Sequence, residues 1–388
     1  MKILLVQQTP WDPRLGMSKV HHDLKLAFEN MGHEVDYLDQ NRLYPKGTNF
    51  YNQAVGKKTQ GRIYDFLKKH SNEYDIIDAN QRCIPYSKEE LGFKGLLVFR
   101  SHGLPPLYTI SENTALYKRM TTASLNVKSV SFKTRLGNFR RYLTKAEGEW
   151  ALWGSIRSAD VVHTLNQAEY DYLKEYGVPL DRLVLVPNGM DDGYIADGAA
   201  LLNDHSVRNE ISFIGSWTMR KGIVHLPEVL DSVSDIVERV NLLGTGGAAA
   251  TVINSFPQIH QHKLKVHPHF DASALPGLLK STKVGIFPSY VEGFGLAVIE
   301  HLALGIPVVA FDTPGPADIL KPIDSSLVVK IGDIAAFNDK VREILSLSDE
   351  AYNHLRQACH NRALDFKNSL IACRFLDIYS QKFKDLGT

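Results

Sequence analysis

Short apolar runs alternate with longer amphipathic runs along nearly the whole chain. Apolar runs such as "KILLVQQ" near the start and "KVGIFPS" in the second half have the length and β-branched content of buried strands. Amphipathic stretches such as "SKVHHDLKLAFENMG" and "QAEYDYLKEYG" separate these runs. The alternation predicts parallel βαβ units with helices on both faces of each sheet, which is an α/β fold.

This alternation pauses once, at about residues 190–208, a polar and glycine-rich stretch in which we find no clear periodicity. A chain of 388 residues is also long for a single core. We therefore predict two doubly wound domains, residues 1–200 and 207–365, that face each other across a cleft. An amphipathic pattern at 366–388 closes the chain. Ligands of such sheets bind beyond the carboxyl ends of the strands, so residues at those ends are the first candidates for a site.

Charge and composition exclude several classes of protein. The 44 Lys and Arg residues balance 43 Asp and Glu residues, and a net charge of +1 gives no overall attraction to nucleic acid. The three cysteines are too few and too scattered for a disulfide framework or a zinc site. No apolar run approaches the roughly 20 residues of a membrane helix, and the first apolar run is too short for a signal peptide. These features favour a cytoplasmic protein.

The segment "SYVEGFGLAVIEHLALGIPVVA" combines two carboxylates with an apolar helix. A helix that begins near Gly295 has Leu296, Ile299, Glu300 and Ala303 on one face. That face would pack against a sheet, where an unpaired carboxylate is costly. Hydroxyl groups of a ligand would satisfy Glu300. The alternative is that Glu300 caps a neighbouring backbone group or pairs with a lysine.

The layout of this segment suits a nucleotide-sugar. Glu292 precedes Glu300 by eight residues, roughly 12 Å at about 1.5 Å per helical residue. One carboxylate could then bond sugar hydroxyls and the other ribose hydroxyls. The turn between them would expose backbone N–H groups at the helix start, which is an anion site suited to a diphosphate. The residues of that turn are Gly293, Phe294, Gly295 and Leu296.

Further candidates follow other strands. Arg220 and Lys221 come after the first strand of the second domain, where cations could neutralise a diphosphate, although adjacent cations are often solvated surface. His102 ends a strand of the first domain. Gly16 lies between the first strand and the first helix, where a backbone could approach a phosphate. A structural histidine and an ordinary turn glycine are the alternatives.

Two other patterns indicate cofactors only weakly. "LLGTGGAAA" at 242–250 fits the dinucleotide pattern G-x-G-x-x-A, but Asp271 is the sole acid near the required spacing. "HQHKLKVHPH" at 260–269 holds four histidines without a carboxylate placed to complete a metal site. The chain also has no D-x-D sequence. We therefore expect no metal requirement, with cationic side chains and helix dipoles stabilising a leaving diphosphate.

Residues 113–146 carry eight lysines and arginines and no acidic residue. The sequence "FRRYL" places aromatic and aliphatic groups beside the cations, a mixture that suits an anionic membrane surface. One hypothesis is that this segment holds a phosphate-bearing lipid acceptor or docks the protein peripherally on a membrane. A solvated helix face is the other.

Together these segments resemble the retaining GT-B glycosyltransferases of family 4. "EGFGLAVIE" resembles that family's E-x7-E motif, and "SADVVHTLNQAEYDYLKEYGVPLDRLVLVPNGMDD" resembles the end of its first domain. The resemblance covers most of the chain and is strongest at 211–320. It implies two Rossmann-like domains and a final helix, 366–388, that crosses back to the first domain.

The resemblance also implies roles for the candidates. Glu292 would orient the donor sugar, and Glu300 would bind the ribose. Arg220 and Lys221 would stabilise the leaving diphosphate, and His102 would support developing positive charge or hold a sugar hydroxyl. The remaining implied contacts are Gly16 at the diphosphate, and His269 and Phe270 along the base.

The implied reaction is retaining transfer of a hexose, with glucose the first candidate, from UDP to a glycan or lipid-linked acceptor in polysaccharide or glycoconjugate synthesis. The alternatives are a nucleotide-sugar epimerase or hydrolase on this fold, and an inactive donor-binding subunit of a transferase complex. Three departures from the family pattern bear on donor geometry. They are Ser216 where an arginine is usual, a single glycine Gly16 between Leu15 and Met17, and His301 in place of the usual alanine after Glu300.

Overall fold

The protein is described from a computed structural model, which covers residues 1–13, 16–44, 57–112, 133–202 and 207–386, with the backbone alone for 109–112 and 133–145. The chain divides into two compact units. The first unit comprises Met1–His102, Leu125–Gly189 and Asn368–Thr388. The second unit comprises Gly103–Ser124 and Met190–Lys367.

The described part of the first unit contains a six-stranded parallel sheet in the order β2-β1-β3-β4-β5-β6. Its central strands are buried along their whole length, as expected for parallel strands with helices on both faces. The strands are β1 Lys2–Val6, β2 Glu34–Leu38, β3 Ile76–Asn80, β4 Leu96–Arg100, β5 Val161–Thr164 and β6 Leu183–Leu185. The helices before Gly189 are α1 Gly16–Asn30, α2 Gln40–Leu43, α3 Lys57–His70, α4 Lys88–Leu91, α5 Pro105–Glu112, α6 Lys133–Ser158 and α7 Gln167–Glu175.

The described part of the second unit contains another six-stranded parallel sheet, in the order β12-β11-β10-β7-β8-β9. Its strands are β7 Glu210–Ile214, β8 Arg239–Leu243, β9 Leu264–His267, β10 Thr282–Phe287, β11 Val308–Phe311 and β12 Val328–Val329. Its helices after Met190 are α8 Asp192–Leu201, α9 Leu226–Ser232, α10 Ala249–Ile253, α11 Leu275–Leu279, α12 Leu296–Ala303, α13 Pro314–Leu320, α14 Ile334–Leu345 and α15 Asp349–Leu364. The predicted α/β class with two doubly wound parallel sheets is confirmed.

The last helix, α16 Asn368–Asp385, belongs to the first unit, although it follows the second unit in sequence. It packs against α1 and β4. Its amphipathic pattern explains this packing, because Ile371, Ala372, Phe375 and Tyr379 fall on one face and are all buried.

The stretch at 190–208 differs from its sequence-based description. We found no periodicity there, yet α8 occupies Asp192–Leu201, and the units divide before it, between Gly189 and Met190, rather than near residue 200. Contacts with α12 hold this helix. The Tyr194 hydroxyl donates a hydrogen bond to the main-chain oxygen of Glu300 at 2.9 Å, and Gly198 lies directly against the backbone of Ala303.

The basic segment at 113–146 lies largely outside the described residues, so the lipid hypothesis stays a prediction. Its C-terminal part enters α6, of which the backbone alone is described up to residue 145. Among the described helices, none combines the length and the apolar character that crossing a membrane requires.

Candidate functional site

Two loops meet at the carboxyl edge of the second sheet, because the strands that precede them, β7 and β10, are neighbours. Gly222 ends the first loop in a left-handed conformation with φ of 72°. A Cβ atom there would lie 1.9 Å from the Pro288 carbonyl oxygen, so the two backbones touch. The Tyr290 N–H donates to the Arg220 carbonyl oxygen at 2.9 Å. The two loops are therefore locked together.

This contact brings three of the predicted residues into one cluster. The Nζ atom of Lys221 lies 2.5 Å from Oε1 of Glu292, and Nη1 of Arg220 lies 3.4 Å from the same oxygen. The Arg220 guanidinium also donates to the Val291 carbonyl oxygen at 3.0 Å. Glu292 is only 9% exposed, so the carboxylate needs this pairing. Ser216, which follows β7, carries no charge, so Arg220 and Lys221 supply the cationic charge of this loop.

The turn between Glu292 and α12 is tightly packed. A Cβ atom on Gly293 would lie 2.7 Å from the Tyr108 hydroxyl, which belongs to α5 of the same unit. Phe294 is buried. Gly295 has a φ of 92° at the N-cap position of α12, which begins at Leu296 as predicted. Sequence reasoning missed Tyr108, because nothing local to α5 signals a contact almost two hundred residues away.

The buried face of α12 differs from the predicted one. Leu296 and Glu300 are half-buried. The buried residues of the helix are Val298, Ile299, His301, Leu302 and Ala303. Glu300 contributes its main-chain oxygen to the Tyr194 hydroxyl bond, while the carboxylate that pairs with a lysine is that of Glu292. The polar group that the core must accommodate is therefore His301.

His301 is accommodated by two small residues. Its ring Nδ1–H donates to the Ala297 carbonyl oxygen at 2.6 Å, and its Nε2 accepts from the Ser212 hydroxyl at 2.7 Å. Gly285 makes room for the ring, because a Cβ atom there would lie 2.7 Å from Cδ2 of His301. Burial lowers the pKa of His301 to about 4. The departure from the family's alanine is thus matched by Ser212 and Gly285.

Because the native state holds His301 neutral, the free energy of unfolding should fall as the pH drops from about 6.5 to 4. Over this window the unfolded chain takes up a proton that the folded chain refuses. His301 alone should contribute about 2 kcal/mol of this loss by pH 5 and about 3 kcal/mol below pH 4. Urea titrations at pH 7.5 and pH 5 measure it. The variant His301→Gln should lose about 2 kcal/mol less than the wild type between these pH values, and an equal loss would refute the assignment.

The predicted base-side residues lie farther along the same edge of the sheet. His269 is exposed, and Phe270 is packed against a core cluster that includes Ile214, Leu243 and Leu304. A Cβ atom on Gly244 would lie 3.2 Å from the Phe270 ring. The structure thus fixes the Phe270 ring beside the end of β8 and leaves His269 open to solvent.

The four histidines at 260–269 do not form a cluster. His260 pairs with Asp231 at 2.9 Å, and His269 is exposed. Throughout the described ranges, no group of three or more His, Cys, Asp or Glu side chains converges in a way that could hold a metal ion.

In the first unit, His102 follows β4, as predicted, and its Nε2 contacts Oδ1 of Asn80 at the end of β3. The pKa of His102 lies well below its ordinary value, because protein encloses the ring and because His21 and Arg100 lie nearby. A neutral imidazole is suited to bonding a hydroxyl. It is less suited to the other role that we considered, the support of positive charge.

Gly16 is the first residue of α1, and a Cβ atom there would meet no atom of the described residues within 4 Å. Packing within the described part of the chain therefore does not explain a glycine at this position. Leu15, the neighbouring departure from the family pattern, lies outside the described residues.

Arg100, two residues before His102, belongs to a buried ionic cluster that sequence reasoning missed. Arg100 and Asp78 are both fully buried and form an ion pair, with Arg100 Nε 3.0 Å from Asp78 Oδ1. Tyr379 of α16 donates to Asp78 and accepts from Arg100 at 3.1 Å. A signal was present, because "IIDAN" and "LLVFR" each place one charge in an otherwise buried strand.

Residues 203–363 match the family model "Glycosyl transferases group 1". The chain is 28% identical over 222 residues to "Probable sucrose-phosphate synthase 5" of Oryza sativa subsp. japonica, covering 43% of this chain and 22% of that protein. It is 27% identical over 239 residues to "D-inositol 3-phosphate glycosyltransferase" of Xylanimonas cellulosilytica, covering 58% of this chain and 57% of that protein. The chain thus spans about half the length of the second relative and far less of the first.

The fold is also found among solved structures. Anabaena Alr3699/HepE in complex with UDP and glucose superposes with a TM-score of 0.65 at 15% identity, over 98% of this chain and 99% of that one. At this identity the likeness concerns the fold, which is that of the GT-B glycosyltransferases. The chain therefore has the GT-B fold, and its residues 203–363 match the glycosyl transferases group 1 family model.

Proposed function

We propose that the protein is a retaining glycosyltransferase that moves a hexose from a UDP-sugar to a glycan or lipid-linked acceptor. The observation that carries the proposal is the shared cluster of Lys221, Arg220 and Glu292 at the carboxyl edge of the second sheet. The cluster pairs two cations with one carboxylate directly before a helix start. The Anabaena protein of the same fold, solved in complex with UDP and glucose, supports the choice of donor.

In the proposed reaction, the donor diphosphate replaces Glu292 as the ion-pair partner of Lys221 and Arg220. Lys221 and Arg220 stabilise the charge that builds on the leaving UDP. Glu292, released from the ion pair, is then available to orient the sugar hydroxyls. Glu300 binds the ribose, and neutral His102 holds a sugar hydroxyl. Gly16 allows the diphosphate to approach the backbone at the start of α1.

A panel of nucleotide-sugars tests the proposal. We expect UDP-hexoses, UDP-glucose first, to raise the melting temperature and to be turned over slowly to UDP without an acceptor. Turnover should persist in EDTA, because Arg220 and Lys221 carry the diphosphate charge. Stabilisation by no nucleotide-sugar would refute the proposal. Loss of turnover in EDTA with recovery in manganese would refute the metal-independent form.

The two glutamates should separate nucleotide binding from sugar turnover. Glu300→Gln should weaken UDP binding about 10-fold, because it removes a charged acceptor of ribose hydroxyls. Glu292→Gln should leave UDP affinity within about 3-fold of the wild type and lower kcat for the donor. Calorimetry with UDP alone and a turnover assay with UDP-glucose measure the two effects. Unchanged UDP affinity in the Glu300 variant would refute the ribose assignment.

The same assays address the alternatives. An inactive donor-binding subunit would bind UDP-sugars without turnover, with or without an acceptor. An epimerase or hydrolase would convert the donor fully without any acceptor, and added acceptors would not increase UDP release. A transferase is distinguished by acceptor-stimulated release of UDP.

A further inference from the structure

Two pairs of polar side chains connect β3 with β4 and the residues that follow it in the first unit. The pairs are Arg100 with Asp78, and His102 with Asn80. In the parallel register of β3 and β4, Asp78 lies opposite Val98 and Asn80 lies opposite Arg100. Arg100 reaches back to Asp78, and two residues farther along, His102 reaches back to Asn80. Residues i and i+2 of a strand share a face. The Asn80–His102 pair therefore lies on the same face as the buried Asp78–Arg100 pair, two residues farther along each segment.

The Arg100–Asp78 pair is rigidly held by its neighbours. Arg100 contacts both carboxylate oxygens of Asp78, stacks its guanidinium 4.1 Å from the centre of the Phe375 ring, and donates to the Tyr379 hydroxyl at 3.1 Å. A buried ion pair contributes little net stability compared with apolar packing. It does fix the ends of two adjacent strands, and those ends carry Asn80 and His102.

The Asn80–His102 pair is polar and is enclosed by protein. Asn80 is 2% exposed, and within the described part of the chain its Nδ2 atom has no hydrogen-bond partner, so its contact with His102 through Oδ1 orients the amide. His21 of α1 packs edge-on to His102, with ring centroids 5.8 Å apart, and neither of its ring nitrogens has a partner among the described residues. Asn80 is thus a polar side chain that orients the His102 ring through Nε2.

We propose that Asn80 is a positioning residue for His102. Its Oδ1 accepts a hydrogen bond from Nε2–H and so selects the neutral tautomer in which Nδ1 is the ring's acceptor. In this tautomer Nδ1 can accept a hydrogen bond from a donor-sugar hydroxyl. The inference rests on the proposed function, because it assigns His102 to the donor sugar.

Several charged or titratable groups surround His102, and each bears on its protonation. They are His21 on α1, Asp78 on β3, Arg100 on β4 and His163 on β5. His21 and Arg100 disfavour the imidazolium, and Asp78 favours it. An added carboxylate at position 80 would be the negative charge in direct contact with the ring.

Two substitutions separate positioning from a merely structural role. Asn80→Ala removes the acceptor and should lower kcat for UDP-sugar turnover about 10- to 100-fold at every pH, with UDP affinity unchanged. Asn80→Asp keeps the acceptor but stabilises the imidazolium. At pH 8.5, where the ring is neutral, its turnover should exceed that of Asn80→Ala at least about 10-fold, because the hydrogen-bond acceptor is retained. Asn241→Ala, which removes a buried amide from β8, is the matched control and should keep wild-type turnover.

NMR titration of the His102 ring gives an independent readout. The pKa of His102 should be higher in Asn80→Asp than in the wild type. Equal turnover of Asn80→Asp and Asn80→Ala at pH 8.5, or equal losses in Asn80→Ala and Asn241→Ala, would overturn the inference. If the wild type turns over no nucleotide-sugar, the proposed function fails, and an unchanged His102 titration in Asn80→Asp would separately refute the Asn80 contact.

Discussion

Replacing Lys221 with alanine should lower kcat/KM for the UDP-sugar donor about 10- to 150-fold. The expected loss corresponds to about 1.5–3 kcal/mol of transition-state stabilisation, the range for a hydrogen bond to a charged group. Lys221 is 14% exposed and lies 2.5 Å from Glu292, so its ammonium group is held at the position that the proposed function gives to the diphosphate. Steady-state kinetics of UDP release measures the effect.

Lys263→Ala is the matched control for this substitution. Lys263 is also partly buried in the second unit, and its Nζ donates to the carbonyl oxygens of Ser234 and Val237 at 2.6 and 2.7 Å. Removing it costs a comparable set of hydrogen bonds away from the candidate site. Turnover by Lys263→Ala should stay within about 2-fold of the wild type. Equal losses in the two variants would mean that Lys221 acts through stability rather than on the leaving group.

The largest structural effect is expected at Gly222. Alanine there must adopt a left-handed conformation, which costs roughly 1–2 kcal/mol, and must also displace the backbone oxygen of Pro288. Forced displacement in a packed region costs about 1–3 kcal/mol more. Gly222→Ala should therefore lower the free energy of unfolding by about 2–5 kcal/mol, as measured by urea titration. It should also weaken UDP binding, because it separates Arg220 and Lys221 from the loop that carries Glu292.

Gly246 supplies a control with the same backbone conformation. Its φ is 70°, against 72° for Gly222, and a Cβ atom there would meet nothing within 4 Å. Gly246→Ala should therefore lower the free energy of unfolding only by the cost of the left-handed conformation, roughly 1–2 kcal/mol. If both variants lose the same stability, the contact between Gly222 and Pro288 does not lock the two loops.

The start of α12 was predictable and its buried face only in part, because Ile299 and Ala303 are buried as predicted and Leu296 and Glu300 are half-buried. The glycines of "EGFG" and the apolar run that follows place the helix start near Gly295 by local chemistry alone. Burial depends on what packs against the helix, and the residues that accommodate His301, namely Ser212 and Gly285, lie far from it in sequence. Periodicity therefore placed Glu300 on the buried face, where the structure has His301.

The clustering of Glu292 with Lys221 likewise lay beyond what the sequence could predict. Both residues were singled out because they follow strands, and strand order explains why their loops meet. The ion pair itself depends on Gly222, whose contact with Pro288 no local pattern reveals. In the first unit, His102 was placed correctly after β4, while its orientation by Asn80 requires the register of β3 and β4.

The most direct test of the proposed donor site is calorimetric titration of the wild-type protein with UDP and with uridine. In this site the diphosphate lies on Arg220 and Lys221 and the ribose on Glu300, so UDP should bind at least about 10-fold more tightly than uridine. That difference corresponds to about 1.4 kcal/mol, the low end of one charged hydrogen bond. Absence of UDP binding, or equal affinity for UDP and uridine, would contradict the proposed donor site.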